Sequence, residues 1–172
     1  MEINKKILSK LKERDNDTFE LVYYEYKDLV YFVAYNILKN SYDTEELVQD
    51  VFVKMLREID KFDGRFFKAW LLKMTKNLAI NKLKTLNKED TIEEGEVEFL
   101  KADDEFKKRD YLIELEEILD DKNYKVVILH LVYDLKHREI AEYLDLPLGT
   151  ICSMYNNSMK KIKSIYKKGG NR

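Results

Sequence analysis

Apolar side chains recur at intervals of three and four residues through long stretches of this 172-residue chain. That spacing places them on one face of an α-helix, whereas the apolar residues of a half-buried strand recur at every second position. Only one proline and five glycines are available to interrupt the pattern. Turn-rich sheets use both residues more often. The sequence therefore predicts an all-α protein.

Four helices are predicted in the first half of the chain. The first is short, the second runs to about residue 39, the third begins near residue 43 and the fourth covers residues 67–86. The expected N-caps of the second helix are Asn16, Asp17 and Thr18. Asp43 and Glu46, three residues apart, predict a capping box at the start of the third helix. We expect these helices to cover one another's apolar faces in a bundle.

Charge is segregated along the chain, although the formal net charge is only −2. Residues 64–88 contain seven basic residues and no acidic one, and residues 150–172 contain six basic residues and no acidic one. Between these blocks, residues 89–105 contain nine acidic residues, one lysine and no helical apolar period. Such a composition is typical of a solvated linker. We therefore predict two small helical domains, residues 1–86 and 106–172, joined by a flexible acidic linker at 87–105.

Residues 137–162 have the spacing of a helix-turn-helix, with a break at 145–149 between two helices. Asp145 tolerates the left-handed backbone that the turn needs, and Thr150 is suited to cap the second helix. The polar residues that share the outer face of this second helix are Ser153, Asn156, Asn157 and Lys160. Asparagine can pair with adenine through two hydrogen bonds and lysine can neutralise phosphates, so this face is a candidate for the DNA major groove.

The sequence offers no set of residues for catalysis or metal binding. Cys152 is the only cysteine, and His130 and His137 alone make no zinc-ligand cluster. No segment approaches the roughly 18 uncharged apolar residues that span a bilayer, and residues 1–12 are too charged for a secretory signal. We expect no cofactor, no metal, no enzymatic activity and a cytoplasmic location.

Three segments resemble the sigma-70 family of bacterial RNA polymerase sigma factors, and in particular its extracytoplasmic-function group. Residues 42–52, YDTEELVQDVF, are similar to the segment that binds core polymerase. Residues 67–77, FKAWLLKMTKN, resemble the segment near the melted −10 element. Residues 138–151, REIAEYLDLPLGTI, are similar to the helix-turn-helix that binds the −35 element. The resemblance implies a region 2-like helical bundle followed by a region 4-like helix-turn-helix domain.

The resemblance also implies partners and site residues. Contacts to core RNA polymerase are expected from Glu46, Gln49, Asp50 and Phe52. Contacts to the −10 element and its single-stranded DNA are expected from Phe66, Phe67, Lys73, Lys76, Asn77, Asn81, Lys82 and Lys84. Contacts to the −35 element of promoter DNA are expected from Arg138, Thr150, Ser153, Asn156, Asn157, Lys160 and Lys161. A further implied partner is an anti-sigma factor, which in this family is often membrane-anchored.

The recognition helix departs from the family pattern, in which it is usually rich in arginine and lysine. Cys152, Met154 and Asn157 stand at positions where basic residues are common. Two other interpretations of the sequence remain open: a free-standing helix-turn-helix regulator whose first domain senses a ligand or dimerises, and a sigma-like decoy that binds polymerase without starting transcription. An enzyme is the least expected class.

Overall fold

The computed structural model describes residues 3–86, residue 115 and residues 117–169, with side chains up to residue 166. Within these residues the regular elements are α1 (Lys5–Lys12), α2 (Asn16–Leu38), α3 (Ser41–Glu58), a short 3-10 turn (Ile59–Lys61), α4 (Phe67–Leu86), α5 (Asp121–Leu131), α6 (His137–Leu144) and α7 (Leu148–Gly169). All of them are helical, which confirms the predicted fold class. None of these helices combines the length and the apolar character that crossing a membrane requires. The predicted linker at 87–105 lies outside the described residues.

The chain divides into two compact units, residues 1–97 and residues 98–172. In the first unit α2, α3 and α4 pack against one another, and α1 contacts α2 and the 3-10 turn. The fully buried residues at the centre of this bundle include Val22, Val30, Val51, Leu71 and Leu72. Burial of one such side chain is worth about 1.5–3 kcal/mol, so this shared core is the main source of stability in the bundle.

The start of α2 differs from the sequence expectation. The N-cap is Asp15, whose carboxylate accepts a hydrogen bond from the amide of Thr18 at 2.9 Å. The predicted caps Asn16, Asp17 and Thr18 are instead the first three residues of the helix. The hydrogen bonds from Thr18 also lower the pKa of Asp15 below its ordinary value, because they favour the charged carboxylate.

The start of α3 also differs. Asn40 is the N-cap, and its side-chain oxygen accepts a hydrogen bond from the amide of Asp43 at 3.0 Å. The predicted capping box of Asp43 and Glu46 is therefore wrong. Both carboxylates lie inside the helix and contact Lys82 of α4.

The second unit is built from α5, α6 and α7, each in contact with the other two. The turn between α6 and α7 contains Asp145 at φ 54° and ψ 39°, which confirms the predicted left-handed residue. Helix α7 begins at Leu148, because the carbonyl of Pro147 accepts the amides of Thr150 and Ile151 at 2.9 and 3.2 Å. Thr150 therefore lies in the first turn of α7, and its prediction as the cap is wrong.

Both histidines of the chain lie where the three helices of the second unit meet. The rings of His130 from α5 and His137 from α6 lie 4.6 Å apart between centroids, and both lie within 4.8 Å of Tyr155 from α7. Nδ1 of His130 is 2.8 Å from the carbonyl oxygen of Leu135. Burial, with a smaller contribution from His130, lowers the pKa of His137. The cluster of rings joins α7 to the other two helices.

We predict that Asn40→Ala lowers the free energy of unfolding by about 1 kcal/mol, because the amide of Asp43 loses its capping acceptor. Ser41→Ala is the matched control, since Ser41 is the exposed first residue of α3 and does not cap it. Urea unfolding followed by circular dichroism measures both variants. Equal effects of the two substitutions would contradict the assignment of Asn40 as the cap.

Candidate functional site

One side of α3 carries exposed polar and acidic residues. Leu47, Val51 and Met55 are buried in the bundle, so the opposite side of the helix faces outward. The exposed residues on that side from Tyr42 to Val53, called here the acidic face, are Tyr42, Glu45, Glu46, Gln49, Asp50 and Val53. The exposed Arg57 follows them in the last turn of the helix. Three of the four residues predicted to bind core polymerase, Glu46, Gln49 and Asp50, lie together on this surface.

Phe52 does not belong to the acidic face. Its side chain is 1% exposed, and its ring packs edge-on against Tyr23 at 4.8 Å and Phe19 at 6.4 Å between centroids. Its prediction as a contact residue is corrected, because the ring holds α3 against α2. Val53, which is 47% exposed, provides apolar surface on the acidic face. Its spacing of three residues from Asp50 and four from Gln49 is the sequence signal that identifies it.

A basic residue from α4 meets two carboxylates of α3. The ammonium of Lys82 lies 2.5 Å from Glu46 Oε2 and 3.4 Å from Asp43 Oδ1, and its side chain is 18% exposed. Burial alone would lower the pKa of Lys82, but the hydrogen bonds and charges of Glu46 and Asp43 outweigh it and raise that pKa. Lys82, predicted to contact DNA, is thus turned toward α3.

Most of the other residues predicted to bind the −10 element share one side of α4. These are Phe66, Lys73, Asn77, Asn81 and Lys84. Together with Trp70, which was not predicted to contact DNA, they follow one another at steps of three and four residues and form what is called here the α4 stripe. At about 100° per residue, Lys76 lies roughly 100° from the middle of this stripe and Lys82 roughly 140°. Lys76 and Lys82 are therefore not part of it.

The two phenylalanines at the start of α4 have different environments. Phe66 is 39% exposed at φ 52°, immediately before the helix. Phe67 is 6% exposed and packs against Tyr26, Phe62 and Trp70. The prediction of Phe67 as a DNA contact is corrected, since its ring is part of the core. Trp70 is half-buried and has its ring 4.7 Å from that of Phe62.

The predicted −35 residues are exposed on the helix-turn-helix. Ile151, Ser158 and Ile162 are buried on the inner side of α7. The predicted residues that are exposed are Arg138 on α6 and Thr150, Ser153, Asn156, Asn157, Lys160 and Lys161 on α7. Asn156 and Lys160 also line a shallow recess together with Met159 and Lys163. The arrangement presents amides, hydroxyls and ammonium groups on one helical surface.

Comparisons with known proteins find sigma factors that are similar to this chain. Residues 22–89 match the family model described as Sigma-70 region 2. The ECF RNA polymerase sigma factor SigW of Bacillus subtilis (strain 168) is 29% identical over 165 residues, which cover 86% of this chain and 88% of SigW. SigM of the same organism is 21% identical over 161 residues, covering 90% of this chain and 98% of SigM.

Two solved structures share the fold. One is CnrH in complex with the cytosolic domain of CnrY, with a TM-score of 0.62, 17% identity and coverage of 94% of this chain and 96% of that one. The other is the sigma factor RpoE in complex with the anti-sigma factor NepR from Bartonella quintana, with a TM-score of 0.55, 17% identity and coverage of 87% and 96%.

We predict that Lys82→Met lowers the free energy of unfolding by about 1 kcal/mol, because two carboxylates lose their shared cation. Lys84→Met, an exposed lysine near the same end of α4, should change it by less than about 0.5 kcal/mol. The pKa of Lys82 is raised above 10.5 in the folded state. The stabilisation is therefore complete below that pH and is lost as the pH rises through the folded-state pKa. Urea unfolding at neutral and alkaline pH measures the effect, and equal stability of both variants at neutral pH would contradict it.

Proposed function

Because this chain belongs to the extracytoplasmic-function group of the sigma-70 family, we propose that it is an alternative sigma factor that binds core RNA polymerase and directs promoter recognition, melting and transcription initiation. The observation that carries the proposal is a pair of outward surfaces in the helical bundle, within residues 22–89 that match the family model. One surface is the acidic face of α3, and the other is the α4 stripe with its lysines and amides. The chain acts through binding and positioning, without bond chemistry of its own.

The acidic face is the proposed contact for core polymerase. Glu46, Gln49 and Asp50 would pair with basic and polar groups of the partner, while Val53 supplies an apolar contact. Charge complementarity of this kind accelerates encounter and selects the partner. Apolar residues at the centre of such a patch contribute most of the affinity once water is excluded.

The α4 stripe is the proposed contact for the non-template strand of the −10 element. Its lysines neutralise phosphates, and Phe66 and Trp70 provide rings at one end on which unpaired bases can stack. Stacking on an aromatic side chain is worth ~1–3 kcal/mol per base. Unstacking a duplex step costs a few kcal/mol. Capture of a few bases that open by fluctuation is therefore sufficient to shift the equilibrium toward the melted promoter.

Helix α7 is the proposed contact for the −35 element. Asn156 and Asn157, which are exposed, would read base edges, and the exposed Lys160 and Lys161 would contact phosphates. We propose that residues 87–105 link this domain to the first one. The chain divides into its two compact units between residues 97 and 98, which lies within this proposed linker and supports it.

Two further proposals follow from the function. The chain would act in the cytoplasm, where core polymerase and chromosomal DNA are found. It would also be controlled by an anti-sigma factor, as supported by the likeness to RpoE, which was solved with the anti-sigma factor NepR. The relatives of nearly whole-chain length are named as sigma factors, so they favour this function over a free-standing regulator or a decoy.

We predict that the double substitution Gln49→Ala with Asp50→Lys abolishes association with core polymerase and leaves helicity unchanged, since both residues are exposed. Asp121→Lys, the same charge change in the second unit, is the control and should retain association. Co-purification with tagged core polymerase measures the binding. Unaltered association of the double variant would refute the docking assignment.

For α7, we predict that Asn156→Ala or Asn157→Ala lowers discrimination against a mutated −35 base by ~1–3 kcal/mol, since an asparagine paired with adenine supplies specificity. Lys160→Ala should instead weaken binding to all promoter sequences alike and reduce the salt-dependence slope by about one. Holoenzyme binding to matched and mutated promoters over a salt series separates the two effects. If all three variants behave like the parent protein, this helix does not read DNA.

A further inference from the structure

The loop between α3 and α4, residues 59–66, has an unusual backbone. Gly64 has φ 84° and Phe66 has φ 52°, a region that a side chain as large as phenylalanine rarely adopts. Between them, Arg65 donates its amide and its Nε to the carboxylate of Asp63 at 2.8 and 2.9 Å. These bonds lower the pKa of Asp63 and tighten the turn from inside. They do not connect the loop to the rest of the bundle.

That connection comes from α1 and the residues just after it. The guanidinium of Arg14 meets the carboxylate of Asp60 at 2.8 Å between Nη2 and Oδ2. The ammonium of Lys12 lies 3.4 Å from the carbonyl oxygen of Asp60. Leu8 lies so close to Gly64 that a Cβ added there would be 3.7 Å from Leu8 Cδ2. The loop is thus contacted at its first turn and again at its left-handed glycine.

Arg14 is itself fixed in orientation. Its backbone turns at φ 62° directly after α1, and its Nη1 donates to the carbonyls of Leu11 and Lys12 at 3.2 and 3.1 Å. Nη1 of the guanidinium therefore closes the end of α1, while Nη2 holds the carboxylate of Asp60. A lysine at position 14 keeps the charge but cannot make both sets of bonds in one plane.

The opposite side of the loop contacts the start of the α4 stripe. Phe62 of the loop has its ring 4.7 Å from that of Trp70 and 5.7 Å from that of Phe67. The loop is therefore held between α1 and α4, and Phe66 is its exposed aromatic residue. Phe62 and Phe66 lie within six residues of Asp60, so the segment that α1 contacts is the same one that carries both rings.

We propose that α1 positions the loop at residues 59–66, with Arg14 as the positioning residue, and thereby sets which unpaired bases the loop accepts. The second part rests on the proposed function, in which this end of the α4 stripe captures bases of the −10 element. Arg14 and Asp60 are both substantially exposed, with side-chain exposures of 45% and 57%. An exposed ion pair contributes little to global stability. The role assigned to it is the local geometry of the loop.

Trp70 allows the positioning to be measured without DNA, because it is the only tryptophan of the chain and contacts Phe62. In the full chain, Arg14→Gln should raise the acrylamide quenching constant of Trp70. Arg14→Lys, which keeps the charge but cannot make both sets of bonds, should restore it only in part. Lys10→Gln is the matched control, since Lys10 lies on α1, four residues before Arg14, and pairs with Asp15 instead of the loop. Equal quenching in the parent, Arg14→Gln and Lys10→Gln proteins would overturn the proposal.

Base selection is measured with the holoenzyme and a single-stranded DNA library randomised over the −10 element. Arg14→Gln should reduce the enrichment of preferred bases by about two- to fivefold, the range that an exposed ion pair corresponds to. It should leave core association unchanged. Altered quenching with unaltered enrichment would overturn the link to base selection. If the parent holoenzyme shows no base preference, the proposed function of the loop fails, while quenching still decides whether α1 positions it.

Discussion

Burial of α2 against both α3 and α4 is the constraint on which the first unit depends. From residue 29 to residue 38 nearly every side chain of α2 is buried, so both neighbours must stay packed against it. Each neighbour then turns its own apolar face inward and leaves its polar face outside. The surfaces assigned to polymerase and to DNA are the outer sides of a shared core, and a substitution in that core is expected to disturb both.

The contact between Lys82 and the acids of α3 explains how surfaces of opposite charge coexist on a small bundle. Lys82 is removed from the basic side of α4 and partly neutralises Glu46 and Asp43 where the two helices meet. The acidic face keeps Gln49, Asp50 and Val53 exposed, and the α4 stripe keeps an exposed Lys84 and a partly exposed Lys73. The ion pair thus joins α3 and α4 where their surfaces meet, and the rotation of α4 decides which of its side chains face outward.

The helices themselves could be predicted from the sequence because apolar periodicity reports directly on burial. The caps could not, because Asn40 and Asp43 are both good capping residues and only hydrogen-bond geometry decides between them. The site was predictable at the level of segments and less so at the level of side chains. Phe52 is a core residue because of how α3 is rotated, and the pairing of Lys82 depends on a helix 36 residues away in sequence.

On the proposed function, both units contribute contacts to DNA phosphates. The described outer surface of α7 carries Lys160, Lys161 and Lys163 beside amides and hydroxyls, and phosphate contacts are the main source of affinity for duplex DNA. Base specificity at the −35 element would then depend on a few asparagines, because lysine contacts to phosphates carry no sequence information. The loop before α4 would add base choice at the −10 element. If α1 positions this loop as proposed, its contacts take part in promoter choice although α1 lies far from α4 in sequence.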